Sequence, residues 1–353
     1  MSDPNPMAAE VLEISAAGFA SAADAHFQQA RPEVARGHST AWRAHFRQRV
    51  LELAAAVRVG DPALFVRRIE WLRRASQART GDDSAVGLAL HSLAATLRHE
   101  TPAQMRGSID AVLDAALAGL SQPLVAEPAA LRSDDDAGRL ALQYLSTCLD
   151  GDAAGAARAL LAAADDGMTP QDLYCRVLMP AQSEVGRLWH RGDLNVAEER
   201  LVSETTRRVM AQLSARYEPA QKSQKKVLSA AVAGNAHDLG LRAATDLFAL
   251  AGWRCFYLGA DVPARDIALM VEKHGIDLVL LAATLETHLG ATADAIAELK
   301  RASPSCLTLV GGLDLGDGGE LLRRLGADAY CRRLDDVVAI GERLLRDRKP
   351  GAK

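Results

Sequence analysis

The sequence predicts a chain that is all-α at its start and α/β at its end: a helical N-terminal domain, a four-helix bundle, and a doubly wound parallel sheet. Three observations predict it. Apolar residues recur at three- and four-residue spacing as far as residue 217. From residue 226 onward, short apolar runs alternate with helical stretches. Aromatic residues make up only 4% of a chain that is 49% hydrophobic, so the core is built from Ala, Leu and Val, a composition that favours helices.

The 353 residues suffice for two or three domains. No apolar run approaches the ~20 residues of a membrane-spanning helix; the longest candidate, Leu278 to Thr284, suits a buried strand. The start, MSDPNPMAAEVLEIS, lacks the basic and apolar regions of a secretory signal. Cys148, Cys175, Cys255, Cys306 and Cys331 are odd in number and far apart, which argues against a disulfide framework or a zinc ribbon and for a cytoplasmic setting. A net charge of −4 gives no overall attraction to nucleic acid.

The first domain, 1–125, reads as helices over Ala41 to Val59, Pro62 to Ala78, Ser84 to Glu100 and Pro102 to Leu120. Asp61-Pro62 and Thr101-Pro102 resemble an N-cap followed by proline at the first helical position. Residues 1–38 carry no decided pattern. The segment 121–137, with two prolines and an acidic run, reads as a linker. The second domain, 133–217, has four amphipathic stretches: Ala137 to Cys148, Ala153 to Ala164, Pro170 to His190 and Val196 to Tyr217. Short loops between them suggest a small antiparallel bundle.

Glu218 to Lys226 is a polar boundary. In the third domain, 226–347, strands are expected at Val227 to Val232, Arg254 to Leu258, Leu278 to Ala283, Leu307 to Val310 and Ala329 to Cys331. Helices intervene, ending near Gly252 and then over Ala264 to His274, Ala291 to Arg301, Gly319 to Leu325 and Val337 to Arg346. Ligands of such sheets bind beyond the carboxyl ends of the strands, so the loops there are where chemistry is expected.

The loop after the first strand, Gly234-Asn235-Ala236-His237-Asp238-Leu239-Gly240, is not a dinucleotide fingerprint. Its imidazole would project from the top of the sheet as a transition-metal ligand. Asn235 is placed to accept from the other ring nitrogen, and Gly240 lets a bulky ligand approach the first helix. The bland alternative is a polar strand-to-helix turn.

Counting onward from Gly240, 41 residues lead to Ala282-Ala283-Thr284, and 26 more to Gly311-Gly312. This pattern resembles the cobalamin-binding Rossmann domain of corrinoid-dependent methyltransferases, mutases and light-responsive regulators, which carries Asp-x-His-x-x-Gly, then Ser-x-Leu or Ser-x-Thr, then Gly-Gly. The resemblance implies that His237 is the lower axial cobalt ligand. It also implies that the cofactor's displaced base slots between sheet and first helix past Gly311 and Gly312. Asn235 stands where the family has Asp, which makes the histidine a weaker donor. Ala282 stands where it has Ser, which removes a hydrogen bond to the tail.

The preceding segment, Val177 to Arg200, resembles the helical cap over the upper face of cobalamin: a Pro-Ala step at Pro180-Ala181, Val-Gly-x-x-Trp at Val185 to Trp189, then a Gly turn and Ala-x-Glu. In light-responsive members the cap's Trp is followed, after nine residues, by Glu-His. Trp189 and Glu199 match; Arg200 replaces the His. The resemblance implies that Trp189 and Glu199 shelter an adenosyl group. His190 reads either as a second cobalt ligand after light or as a solvated helix-end cation. Arg200 ligates no metal and would bind a carboxylate or change how the upper face is handled.

Light-responsive repressors begin with a DNA-binding helix-turn-helix; none is visible here, so direct DNA binding is not expected. Arg43, Arg47, Arg49, Arg58, Arg67, Arg68, Arg73, Arg74 and Arg79 face only Glu52, Asp61 and Glu70 in the same stretch. They read as a solvated face with ion pairs, as a phosphate-binding face, or as clamps for the propionates of a linear tetrapyrrole such as biliverdin, as in photocobilins. Trp42, Phe46, Phe65 and Trp71 read as core.

The resemblance implies a cobalamin sensor, most economically of light through adenosylcobalamin, signalling by conformational or oligomeric change to a protein partner not legible in the sequence. It implies no enzyme activity and leaves homo-oligomerisation open. The alternatives are a corrinoid carrier of methyl groups and a cobalamin-linked anti-repressor.

Overall fold

The computed structural model describes residues 3–35, 39–124, 131–217, 223–313 and 319–347. The chain divides into two compact units, Met1–Glu127 and Pro128–Lys353.

The described residues of the first unit form only helices among regular elements: α1 (Pro6–Ile14), α2 (Ala16–Ala30), α3 (Pro32–Ala35), α4 (Ser39–Val59), α5 (Pro62–Thr80), α6 (Ser84–Glu100) and α7 (Ala103–Gly119). Asp61 caps α5 as expected, its carboxylate accepting from Ala63 N at 3.0 Å. Thr101 does not open the next helix. Its hydroxyl donates back to Leu97 O and closes α6, and α7 starts one residue after Pro102. Phe46 and Phe65 are buried, whereas Trp42 and Trp71 are half-buried.

At least six of the nine arginines are met by carboxylates among the described residues. Arg49 and Arg68 share the buried Glu52, and Arg43, Arg58, Arg73 and Arg74 pair with Asp24, Glu13, Asp83 and Glu70. Arg68 also lies 3.7 Å above the Trp71 ring.

Burial, and then the neighbouring Arg49, push the His45 imidazole down to about 3. The ring is therefore neutral in the folded unit, while the unfolded chain takes up a proton near 6.5. Its contribution to stability is complete above that value and is lost as pH falls toward 3. Calorimetry of the full chain should show the first unit melting earlier as pH drops through this window, with a flatter dependence in His45→Gln. Parallel profiles for the two proteins would contradict the assignment.

The second unit begins with the bundle: α8 (Asp136–Leu149), α9 (Ala153–Asp165), α10 (Pro170–Asp172), a π-helical turn (Leu173–Leu178), α11 (Met179–Arg191) and α12 (Val196–Arg216). The third expected helix is thus one rod with a widened turn. Pro180 has no N–H, and its ring would clash with the carbonyl four residues back; the π turn takes up both defects. Asn195 opens α12 with a reciprocal capping box to Glu198.

Five parallel strands follow: β1 (Lys226–Val232), β2 (Arg254–Val262), β3 (Leu278–Ala282), β4 (Leu307–Gly311) and β5 (Ala329–Cys331), ordered 2-1-3-4-5. Between them lie α13 (Leu239–Leu250), α14 (Ala264–His274), α15 (Leu289–Ala302) and α16 (Glu320–Arg324), with α17 (Val337–Asp347) last. The order reverses between β1 and β3, so the loops after these strands flank the crevice where such folds bind ligands.

One face of the sheet, carrying Val227, Ala231, Leu280, Ala282 and Leu309, packs under α13 and α17. Its core is continuous with that of the bundle through Tyr144, Tyr174 and Met210. Tyr174 also donates to Asp246 of α13 at 2.8 Å, a polar tie between bundle and sheet domain.

Candidate functional site

The loop after β1 is built to hold one imidazole. Gly234 turns it with φ +80°, and its N–H donates to Asp261 at 2.7 Å. Asn235 is wholly buried. Its amide nitrogen donates to Ala282 O at 3.0 Å, which ties the loop to the end of β3. Its amide oxygen accepts from the His237 backbone N–H at 3.0 Å and lies 3.3 Å from His237 Nδ1. An amide oxygen only accepts, so the ring proton sits on Nδ1 and Nε2 keeps its lone pair. The His237 side chain is itself exposed in the cavity mouth.

His288, after β3, stiffens the surroundings. Its Nδ1 accepts from the backbone of Thr284 and Leu285 at 3.2 and 3.1 Å. Burial, and then the proximity of His237, keep its ring neutral.

Asp238 does not face the cavity alone. It accepts from Tyr257 at 2.6 Å and pairs at 2.6 Å with Arg207 of α12, which ties the cap to the loop that carries His237. Burial and the carboxylate keep the Tyr257 phenol protonated. Sequence reasoning marked Asp238 but missed Arg207, Tyr257 and His288. Their pairings span long stretches of chain, and no local spacing announces them.

Between cap and strand ends lies a cavity of about 780 Å³. Trp189, Glu199, Arg200, His237, Asp238, Gly240, Ala282, Thr284, Gly311 and Gly312 all line it. Above, α11 and α12 present Gln182, Gly186, Trp189, Val196, Glu199 and Ser203, spaced to share a helical face. Glu199 is held by the Ser203 hydroxyl at 2.8 Å. Below, the cavity runs as a slot between the sheet, at Leu280, Ala282, Gly311 and Cys331, and α13 and α17, at Leu241, Ala244 and Val337.

Two residues stand apart from that wall. Asn235 sits behind His237 as its support. His190 is buried and is not among the lining residues, so it is neither the solvated helix-end cation nor a residue facing His237 across the space. Successive residues of a helix point about 100° apart, so Trp189 facing the cavity turns His190 away from it.

Comparison with known proteins agrees with this geometry. Residues 140–214 and 225–339 each match the family profile of a B12 binding domain. The chain thus carries a B12-binding cap followed by a B12-binding Rossmann-like domain, and it is a cobalamin-binding protein. It is 26% identical over 206 residues to a corrinoid protein of Desulfitobacterium hafniense, covering 56% of this chain and 93% of that one. With dimethylamine corrinoid protein 3 of Methanosarcina acetivorans it shares 25% identity over 179 residues, covering 50% and 83%. With the HTH-type transcriptional repressor CarH of Myxococcus xanthus it shares 31% over 176 residues, covering 50% of this chain and 55% of the repressor. The monomethylamine corrinoid protein of Methanosarcina barkeri has the same fold over 58% of this chain and 98% of its own, with a TM-score of 0.52 and 17% identity. No helix among the described residues is long and apolar enough to cross a membrane.

The residues present fit a corrinoid. A Cβ at Gly240 would stand in open space at the slot mouth, with nothing within 4 Å. Among the described residues no group of three His, Cys, Asp or Glu gathers as a metal site. A single imidazole with a free lone pair suits a metal whose other positions are filled by a macrocycle.

Proposed function

We propose that this chain is a corrinoid protein that carries methyl groups, holding cobalamin between cap and sheet with the cofactor's own base displaced. His237 carries the reading: an imidazole exposed at the cavity mouth, its proton held on Nδ1 by an uncharged amide, its Nε2 free. Asn235 lends the ring less electron density than a carboxylate would, so His237 is a donor that is readily released. Bound here, a corrinoid would supply alkyl-transfer chemistry at its cobalt centre. The chain's residues bind and orient. Gly240, Gly311 and Gly312 admit the tail, Arg207 and Asp238 hold cap to loop, and Trp189 roofs the cavity while still 37% exposed, leaving that side accessible to a partner protein. The relatives whose names include methylamines are matched over most of their length, which supports this reading. In it the chain is a carrier, and catalysis belongs to its partners.

A second reading, a light sensor loaded with adenosylcobalamin, is favoured by Trp189 and Glu199 on the cavity wall and by the likeness to the repressor. It requires His190 to turn into the cavity. A bilin clamp in the first unit could not use Arg49, Arg68 or Arg73 without their leaving the carboxylates that hold them.

Loading the full chain with adenosylcobalamin and illuminating it with green light separates the two. The carrier reading expects cofactor photolysis with unchanged sedimentation, and binding of methylcobalamin at least as tight as that of adenosylcobalamin. A stable light-state spectrum lost in His190→Ala, together with a change in sedimentation, would contradict it and support the sensor.

A further inference from the structure

The strand beneath the slot holds a polar group that the protein leaves unused. Ser229 sits in the middle of β1, wholly buried, and its hydroxyl has no hydrogen-bond partner among the described residues. Every other residue from Val227 to Val232 is apolar. A buried hydroxyl without a partner is a liability that Ala or Val at this position would remove.

Its place suggests its use. Side chains alternate along a strand, so Val227, Ser229 and Ala231 share the face that packs under α13. Ser229 pairs in register with Leu280, and Ala231 with Ala282. Leu280 and Ala282 line the slot from the sheet, and Leu241 and Ala244 line it from α13. Ser229 therefore lies one strand across from the slot wall and one step deeper than Ala282, level with Leu280 on one side and Tyr257 of β2 on the other. The Ala282 side chain itself offers no polar atom to a buried tail.

We propose that Ser229 reads the lower base of the corrinoid's nucleotide tail: its hydroxyl donates to a ring nitrogen of a nitrogen-heterocyclic base, and the slot thereby prefers corrinoids with such a base to those with a phenolic one. This rests on the reading that His237 takes the cobalt and sends the base into the slot. A benzimidazole brings an acceptor nitrogen to the orphan hydroxyl; a cresol ring brings none. The hydroxyl is tolerated in the free protein and satisfied on binding.

The test uses the full chain and its Ser229→Ala variant, titrated with cobalamin, with p-cresolylcobamide, and with cobinamide, which lacks the base. Loss of one net hydrogen bond should weaken cobalamin binding about five- to tenfold. Binding of the other two ligands should be unchanged, and the ligand-free variant should melt no earlier than the wild type. Equal cobalamin affinity in the two proteins, or an equal loss for all three ligands, would overturn the role of Ser229. The spectrum of bound cobalamin keeps this apart from the reading beneath it. A base-off spectrum with unchanged affinity rejects Ser229 alone, whereas a base-on spectrum in the wild type rejects the occupied slot itself.

Discussion

His237→Ala folds as the wild type does but no longer gives bound cobalamin the spectrum of a protein-ligated, base-off cofactor, and its affinity falls about a hundredfold. Loss of supporting groups alone commonly costs a metal site ten- to a hundredfold, and here the ligand itself is removed. The fold should be spared for a local reason. Asn235 ties the loop to Ala282 and to the backbone N–H of residue 237, and alanine keeps that N–H. The imidazole is exposed and contributes little packing. Absorbance titration and a melting curve on the same sample check both halves. A variant with the wild-type spectrum would remove His237 as the ligand, and one that is unfolded would remove the claim that the loop is held by Asn235.

The second large effect separates two glycines of one slot. Gly312→Ala should lower stability by about 2–4 kcal/mol and abolish cobalamin binding, because two penalties fall together. Its φ of +103° disfavours any side chain, and a Cβ there would lie 2.5 Å from Ala283 O. That oxygen belongs to backbone held by the Ala283 N–H to Gly311 O bond at 3.0 Å and cannot swing aside. Gly240→Ala should behave in the opposite way. Its Cβ meets nothing within 4 Å in the free protein, so the melting temperature should hold, while the added methyl narrows the slot mouth and weakens cobalamin. Equal melting temperatures for Gly312→Ala and the wild type would show that the strand ends adjust more easily than this backbone contact allows.

What was legible in the sequence followed from periodicity and ordered spacing. The five strands appear within a few residues of where apolar runs placed them, because buried parallel strands are near-continuous in Val, Leu and Ala. The His237 loop, Ala282, Thr284 and the Gly311-Gly312 pair share a wall because parallel strands bring successive loops to one end of the sheet. What stayed hidden depends on rotation or on distant partners. The helix expected over Pro170 to His190 does run through Pro180, yet its periodicity gives no sign of the π turn at Leu173–Leu178 that carries the rod there. Trp189 and His190 are adjacent in sequence and point apart on the helix, so a motif that names both cannot place both on one cavity. The Arg207–Asp238 tie and the lone Ser229 hydroxyl exist only once cap, helix and sheet are assembled. The arginines of the first unit looked like a basic face because the sequence window held few acids, whereas Glu13, Asp24 and Asp83 reach them from outside it.

The central claim is that a nitrogen of this protein, and not one of the cofactor, lies beneath the cobalt. Electron paramagnetic resonance of the full chain loaded with the paramagnetic cob(II)alamin form tests it most directly, since the axial nitrogen splits the cobalt lines. With protein grown on histidine labelled with the heavy nitrogen isotope, the triplet splitting should collapse to a doublet, and His237→Ala should show neither pattern. A splitting that stays a triplet in the labelled protein would mean that the cofactor's own base has kept its place on the metal, and the account of this site would be wrong.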